Sequence, residues 1–221
     1  MSELAIPIFP IKTVLFPGTM VQLRVLEDRY KALVDAAVTD HHRCFGVALV
    51  GAEPGEEGSL HVGSVGTLAV ILTLARQDDG GINLLAVGKE RFRVVSLDLS
   101  GTYPLAVVEE LPLRAVASSA VRNLERKARA AATEYFSLLL ELNEADSSTF
   151  KLPAAAVPLA NFIGSNVQIS AARRQGLLKF DELHVLLSEE IRLLEDEIRR
   201  IRWFETQKRM RPKGPAPFSL N

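Results

Sequence analysis

The stretch VGTLAVILTLARQDDGGINLLAVGKERFRVV, residues 65–95, decides the fold. Two apolar runs in it flank Asp79-Gly80 and Gly80-Gly81, dipeptides that supply the positive φ angle a tight hairpin turn demands. The stretch therefore predicts two long paired strands. Other runs typical of strands occur at residues 20–26, 44–50 and 103–111.

The N-terminal run IPIFPIKTVLFPG, residues 6–18, is apolar but broken by prolines. Pro7 and Pro10 have no N–H to donate to a ladder, so we expect this strand at a sheet edge or a bend. Pro17-Gly18 is expected to turn the chain back. An edge strand of this kind could also pair with an extended peptide.

One amphipathic helix is predicted among these strands, at residues 28–40. Its apolar stripe comprises Tyr30, Leu33, Val34, Ala37 and Val38. An acidic, turn-rich loop without fixed structure is expected at residues 51–58. The first part of the chain should thus contain about six strands and one helix, arranged as a sheet or barrel.

From about residue 116 onward, apolar residues recur at helical spacing. A long helix is expected to follow a cap at Ser118 or Ser119. Pro153 and Pro158 should interrupt the helical pattern, and a short helix is expected to stop near Gly164. Ser170 is a suitable cap for another short helix.

The last helix is predicted to begin at Asp181, whose carboxylate would accept the free amides of the first turn, with Phe180 packed on Val185. Its apolar residues keep a four-three spacing as far as Ile201. Such spacing also favours a homodimer formed through this helix.

The fold class predicted from these patterns is α+β. We expect a β-rich sheet or barrel-like domain with one inserted helix at residues 1–113. A helical bundle with a long last helix should follow at residues 114–207. Residues 208–221 are expected to form a basic, flexible tail.

The composition excludes several classes of protein. The 221 residues carry 26 basic and 27 acidic side chains, so no global field would attract nucleic acid. No run of 18 apolar residues predicts a membrane span, and the N-terminus lacks the basic region of a signal peptide. Cys44 is the single cysteine, which excludes an internal disulfide. We therefore expect a cytoplasmic protein that binds neither nucleic acid nor membrane.

Motifs for nucleotide or metal chemistry are incomplete. Gly88-Lys89 is similar to the end of a phosphate-binding loop, but that loop needs Gly at position 83 and Ser or Thr at position 90, where this chain has Asn83 and Glu90. His41, His42 and Cys44 lack a second ligand group at a suitable spacing. No cofactor and no metal are expected.

Catalytic motifs are also missing from the sequence. There is no G-x-S-x-G motif, and no serine has a histidine or lysine partner that the sequence can assign. The adjacent pairs Glu56-Glu57 and Glu109-Glu110 are typical of solvated charge. We predict that the chain is not an enzyme; the alternative is a small-molecule-binding enzyme whose polar groups are brought together only by the fold.

An ordered set of motifs resembles the N-terminal domain of Lon proteases. The set comprises Phe16-Pro17-Gly18, Val65-Gly66-Thr67, residues 88–94, and the helical segment that starts LANFIG at residue 159. Asn161 departs from the Asp usual at its position. The resemblance implies a β-rich fold with an attached helical bundle, a role in engaging protein chains, and no catalytic residues. It also leads us to expect a free-standing domain without the ATPase and Ser-Lys protease modules of that family.

The function expected from these observations is a non-catalytic protein-binding module for exposed apolar or extended segments of partner polypeptides. An adaptor that serves a separate protease would share this binding step. Candidate contact residues beside the proline-broken strand are Phe9, Phe16, Met20 and Tyr30, for each of which core packing is the alternative. Trp203 and Phe204 are candidates for a second surface. They lie among seven basic residues between positions 199 and 213, which suit either an acidic partner or a helix C-terminus.

Overall fold

The computed structural model describes residues 4–50, 60–61, 64–116, 118–143 and 150–210, with only the backbone for 208–210. The predicted loop at 51–58 with Glu56-Glu57, and the tail beyond residue 210, lie outside the described residues. The elements in chain order are β1 (Leu4–Ile11), β2 (Met20–Val25), α1 (Asp28–Thr39), β3 (Cys44–Leu49), β4 (Val65–Arg76), β5 (Ile82–Asp98), β6 (Leu105–Glu110), α2 (Ser119–Leu142), α3 (Ala156–Asn166), α4 (Ala171–Leu178) and α5 (Leu183–Met210). The α+β fold class and the long last helix are confirmed.

Five of the strands close into a barrel in the order β1-β3-β4-β5-β6, with β6 returning to β1. β1 and β3 run parallel, and the other pairs are antiparallel. The 17 residues of β5 are long enough to pair with β2 through residues 82–87 and with β6 through residues 92–98. Among the described strands, β2 therefore pairs with β5 alone.

The prediction that β1 lies at a sheet edge is wrong, because β1 sits between β3 and β6. It pairs with β6 through residues 4–7 and with β3 through residues 8–11. Ile8 donates its amide to Pro104 on the β6 side, and successive amides of a strand point to opposite sides. The nitrogen of Pro10 therefore faces the β6 side beyond the end of that pairing, and the nitrogen of Pro7 faces β3 before that pairing begins. Neither proline interrupts a ladder.

The predicted hairpin joins β4 to β5. Gly80 has a φ of 74°, and Asp79 accepts a hydrogen bond from the Gly81 amide at 2.9 Å. Gly88 lies within β5 rather than in a phosphate-binding loop. A Cβ atom there would stand 2.5 Å from the carbonyl oxygen of Phe16, so the residue permits the segment before β2 to cross the barrel.

Alternate residues of the strands enter two different clusters of apolar side chains. In β3, Phe45 and Val47 join α1, which packs on the outside of β1 and β3. Ala48, the residue after Val47, belongs instead to a cluster inside the barrel with Ile8 and Phe92. The ring of Phe92 fills space that Cβ atoms at Gly46 and Gly66 would occupy. The predicted inserted helix is confirmed, and it covers the outer face.

The helical part confirms two of the predicted caps and corrects two helix ends. Ser118 Oγ accepts from the Val121 amide at 3.1 Å, and Ser170 caps α4. Pro158 lies in the first turn of α3, where backbone amides have no intrahelical partner, so it does not interrupt the helix as predicted. α3 also continues past Gly164 to Asn166.

The predicted start of the last helix is wrong. α5 begins at Leu183, and Asp181 Oδ1 is buried without a hydrogen-bond partner. The Asp181 backbone carbonyl instead accepts from the Arg114 amide, and the Leu183 amide donates to the Arg114 carbonyl. Val185, which was expected to pack on Phe180, is 39% exposed. The chain entering α5 is thus held by backbone contacts with the segment after the barrel.

Side chains connect the barrel to the helices. Phe16 packs among the buried residues of α2, α3 and α5. Arg91 of β5 is buried and donates to the carbonyl oxygens of Leu178 and Phe180, where α4 ends. Gln175 donates to the Val65 carbonyl at 2.8 Å. These contacts join residues on the two sides of the domain boundary predicted at residues 113–114. The division of the chain into two domains at that point remains a prediction.

Candidate functional site

The outer side of β2 is a free strand edge within the described residues. Gly88 donates its amide to the Thr19 carbonyl at 2.9 Å, and the antiparallel register then directs alternate residues from Val21 onward towards β5. The amides and carbonyls of Met20, Gln22 and Arg24 consequently point away from β5. The same three residues are exposed, Met20 to 65%. An extended chain could pair with these groups.

A cavity of about 360 Å³ lies at the N-terminal end of β2. It is lined by residues 13–15, by residues 19–21 and, from the helices, by Ser165, Asn166 and Arg174. Arg174 donates through one terminal nitrogen to the Val167 carbonyl at 3.0 Å, while its Nε is buried without a hydrogen-bond partner. The positive charge of Arg174 at the cavity wall favours an anionic or carbonyl oxygen there.

A second cavity, of about 510 Å³, lies beside Tyr30. The Tyr30 ring stacks on Phe9 with centroids 4.8 Å apart, and the Arg29 guanidinium lies 4.4 Å from the Tyr30 centroid. Burial raises the pKa of Tyr30, partly offset by Arg29. A raised pKa keeps the phenol protonated at neutral pH, so Tyr30 can donate a hydrogen bond here but is not activated as a base.

The C-terminal half of α5 carries exposed aromatic side chains. Trp203 and Phe204 are 58% and 66% exposed and contact each other edge to face, with centroids 5.0 Å apart. Arg202 forms an ion pair with Glu134 of α2 at 2.7 Å, which ties this end of α5 to the bundle. Trp203 and Phe204 therefore form an exposed apolar surface beside basic residues.

Of the residues predicted to contact a partner, the structure buries two. Phe9 is 7% exposed and Phe16 is 1% exposed. For both residues the alternative of core packing applies, because a partner cannot reach them without rearrangement of the fold. Met20, Trp203 and Phe204 are accessible, and Tyr30 is half-buried.

Cys44 and Glu190 are two titratable residues of the described chain whose pKa values burial raises. Burial raises the pKa of the Cys44 thiol, which lowers its thiolate fraction and its nucleophilicity. No group of three His, Cys, Asp or Glu side chains among the described residues could hold a metal ion. Burial also raises the pKa of Glu190, but this residue lies in the helical core and lines neither cavity.

The helices give no indication of a membrane span. Among the described residues, none is both long and apolar enough to cross a bilayer.

Comparison with known proteins identifies relatives of nearly the whole chain. A family model described as the ATP-dependent protease La (LON) substrate-binding domain matches residues 5–196. The Lon protease of Anaeromyxobacter dehalogenans is 28% identical over 191 residues, and that of Escherichia coli is 25% identical over 219 residues. The alignments cover 86% and 95% of this chain but 23% and 26% of those proteins. The chain thus spans about a quarter of the length of these curated relatives.

Solved structures show the same fold. The N-terminal domain of the Mycobacterium avium complex Lon protease matches with a TM-score of 0.65 at 20% identity, covering 87% of this chain and 98% of that one. A Lon N-terminal domain protein from Xanthomonas campestris matches with a TM-score of 0.56 at 24% identity, covering 84% and 96%. At these identities the likeness concerns the arrangement of the backbone.

Proposed function

The chain belongs to the ATP-dependent protease La (LON) substrate-binding domain family, and from this premise we propose that it binds exposed apolar or extended segments of partner polypeptides. The domain that it matches is the non-catalytic substrate-binding part of Lon, and the chain does not match the ATPase or protease parts. Lon-like substrate binding is therefore the role that the family supports. The kind of segment bound is our proposal.

The free edge of β2 is the observation that carries the proposal. Its outward amides and carbonyls are hydrogen-bonding groups that an extended chain can satisfy by adding as a strand. Met20 adds an exposed apolar side chain on the same edge. An unfolded polypeptide offers an extended backbone and uncovered apolar side chains along much of its length, whereas a native globular protein offers an unpaired backbone mainly at its strand edges, which are usually protected.

The aromatic pair Trp203-Phe204 supports a second contact surface. Each of these side chains can bury about 150–250 Å². They could cover an apolar segment of a partner, or they could pack against a second copy of the chain through α5. A dimer requires the mass of the protein to double in light scattering at tens of micromolar; a monomeric mass would leave the pair available to other polypeptides.

Binding to matched unfolded and native polypeptides tests the proposal. A small disulfide-bonded protein, used in its native form and again after reduction and carboxymethylation, supplies one sequence in two states. Fluorescence anisotropy should show saturable binding of the unfolded form and about tenfold weaker binding of the native form. Equal binding of both forms, or binding of neither, would remove the proposed function.

The adaptor alternative shares this binding step and differs in its consequence. An adaptor would accelerate degradation of the unfolded polypeptide by a separate protease, whereas a holding module would slow it by competition. If the chain instead binds a small molecule, the cavity beside Tyr30 is the site. Tyr30→Phe would then weaken binding of the small molecule and leave polypeptide binding unchanged.

We propose a cytoplasmic location, which suits the single free thiol.

A further inference from the structure

We propose that the edge of β2 and the cavity at its N-terminal end together bind the C-terminus of a partner polypeptide. The last residues of the partner add as a strand antiparallel to β2, and the terminal carboxylate enters the cavity beside Arg174. This inference rests on the proposed function and narrows the part of a polypeptide that is recognised. It joins two observations: the unpaired edge of β2, and an arginine that lines the cavity and has no ion pair among the described residues.

Strand direction selects the end of the polypeptide. β2 runs from Met20 to Val25, and the cavity lies at the Met20 end. A strand added antiparallel to β2 has its C-terminus at that end, whereas a parallel strand would place its N-terminus there. A terminal ammonium would be repelled by the Arg174 guanidinium, and a terminal carboxylate would be attracted to it. Charge therefore favours the antiparallel direction and a free carboxylate.

Arg174 is held in place for this role. The hydrogen bond to the Val167 carbonyl fixes one arm of its guanidinium, and no carboxylate of the described residues forms an ion pair with it. Its Nε remains buried and unpaired. The guanidinium lines the cavity, and a guanidinium donates charge-assisted N–H bonds to a carboxylate, so a terminal carboxylate in the cavity would pair with Arg174. Ser165 and Asn166 line the same cavity and are polar.

Met20 favours an apolar residue near the C-terminus of the bound chain. Residues directly opposite each other in an antiparallel pair place their side chains on the same face, about 4.5–5.5 Å apart. The partner residue opposite Met20 would contact an exposed thioether, so an apolar residue there is favoured. β2 has six residues, which sets the length of the recognised segment.

Labelled peptides of eight residues test the proposal by anisotropy. A Val- and Thr-rich peptide with an apolar residue near its end is compared in three forms: with a free C-terminus, with an amidated C-terminus, and amidated with an internal Asp. The free form should bind about tenfold more tightly than the amidated form. Arg174→Gln should remove this difference, and Arg174→Lys should restore part of it. Circular dichroism melting verifies that each variant is folded.

The strand edge is tested separately by Gln22→Pro against Gln22→Ala. The Gln22 amide points outward, so proline removes a donor from the free edge and leaves the pairing with β5 intact. Gln22→Pro should weaken binding of the free peptide about fivefold or more, and Gln22→Ala should not.

The outcomes separate this inference from the proposed function. Unfolded carboxymethylated protein that binds while free and amidated peptides bind equally would overturn C-terminal recognition and leave the proposed function standing. Peptides that fail to bind at all, beside an unfolded protein that does bind, would also overturn it. Equal binding of the free form and the amidated form with internal Asp would assign the cavity to side-chain carboxylates instead. Loss of all polypeptide binding in the parent protein would remove both proposals.

Discussion

Phe16, in the segment before β2, packs its ring directly on the backbone of Gly164 in α3. A Cβ atom at position 164 would stand 2.6 Å from the ring, closer than real Cβ atoms approach. Phe16 is 1% exposed and belongs to the core of the helical part. The contact therefore places the loop from the barrel within the bundle and positions the start of β2.

Gly164→Ala should destabilise the protein by about 1–3 kcal/mol, because the added methyl group overpacks a buried contact. Chemical denaturation followed by circular dichroism measures the free energy of unfolding. Gly176→Ala is the matched control, since Gly176 lies in α4 with nothing within 4 Å of an added Cβ. It should stabilise by about 0.5–1 kcal/mol through helix propensity. Equal effects at both sites would contradict the close packing of Phe16 on Gly164.

Arg91→Met should cost about 2–4 kcal/mol of unfolding free energy, because two carbonyl groups at the end of α4 lose their donor. Arg93→Met is the control. Arg93 lies two residues along the same strand and pairs through its backbone with β4 and β6, but among the described residues its half-buried side chain forms no hydrogen bond or ion pair. Its replacement should change stability by less than about 0.5 kcal/mol. A similar loss in both variants would show that Arg91 does not join the barrel to the helices.

Glu190 should make the protein less stable as pH rises. The side chain is fully buried, neither carboxylate oxygen has a hydrogen-bond partner, and burial raises its pKa well above the ordinary value. In the unfolded chain the carboxyl ionises near its ordinary pKa of about 4.3. Between that pH and the raised pKa, the folded state binds more protons than the unfolded state, so the free energy of unfolding falls with increasing pH.

Glu190→Gln should remove this fall. The variant should equal the parent in stability near pH 4 and exceed it at pH 7 to 8, as measured by denaturant titration at each pH. Glu195→Gln, an exposed position on the same helix, should leave the pH profile unchanged. A parent profile that matches that of Glu190→Gln across this range would show that Glu190 ionises normally in the folded protein.

Local signals predicted much of the fold from the sequence. The Asp79-Gly80 turn, the helix from Asp28 and the serine caps at Ser118 and Ser170 each depend on a few adjacent residues, and all four are confirmed. The edge position predicted for β1 is wrong because a proline excludes a hydrogen bond only on the side that its nitrogen faces, and neither Pro7 nor Pro10 faces a paired residue there. The strand instead changes partners between its halves, which no local pattern reveals.

The candidate site was also predictable only in part, because local sequence patterns do not show which distant elements meet. Met20, Trp203 and Phe204 are exposed, whereas Phe9 and Phe16 lie in cores assembled from distant elements. The position of Arg174 beside β2 depends on β2 and α4 meeting at one cavity, and the burial of Glu190 depends on the bundle around α5. Sequence spacing carries no signal for such long-range juxtapositions.

Amide hydrogen exchange on β2, measured residue by residue by NMR, tests the central claim most directly. A carboxymethylated, unfolded protein is added, and mass spectrometry of the same sample monitors its integrity. The account predicts slower exchange at the outward amides of Met20, Gln22 and Arg24, no change in the amides already bonded to β5, and an intact added polypeptide. Unchanged exchange at all three outward amides under saturating polypeptide, or fragments produced by this chain alone, would contradict it.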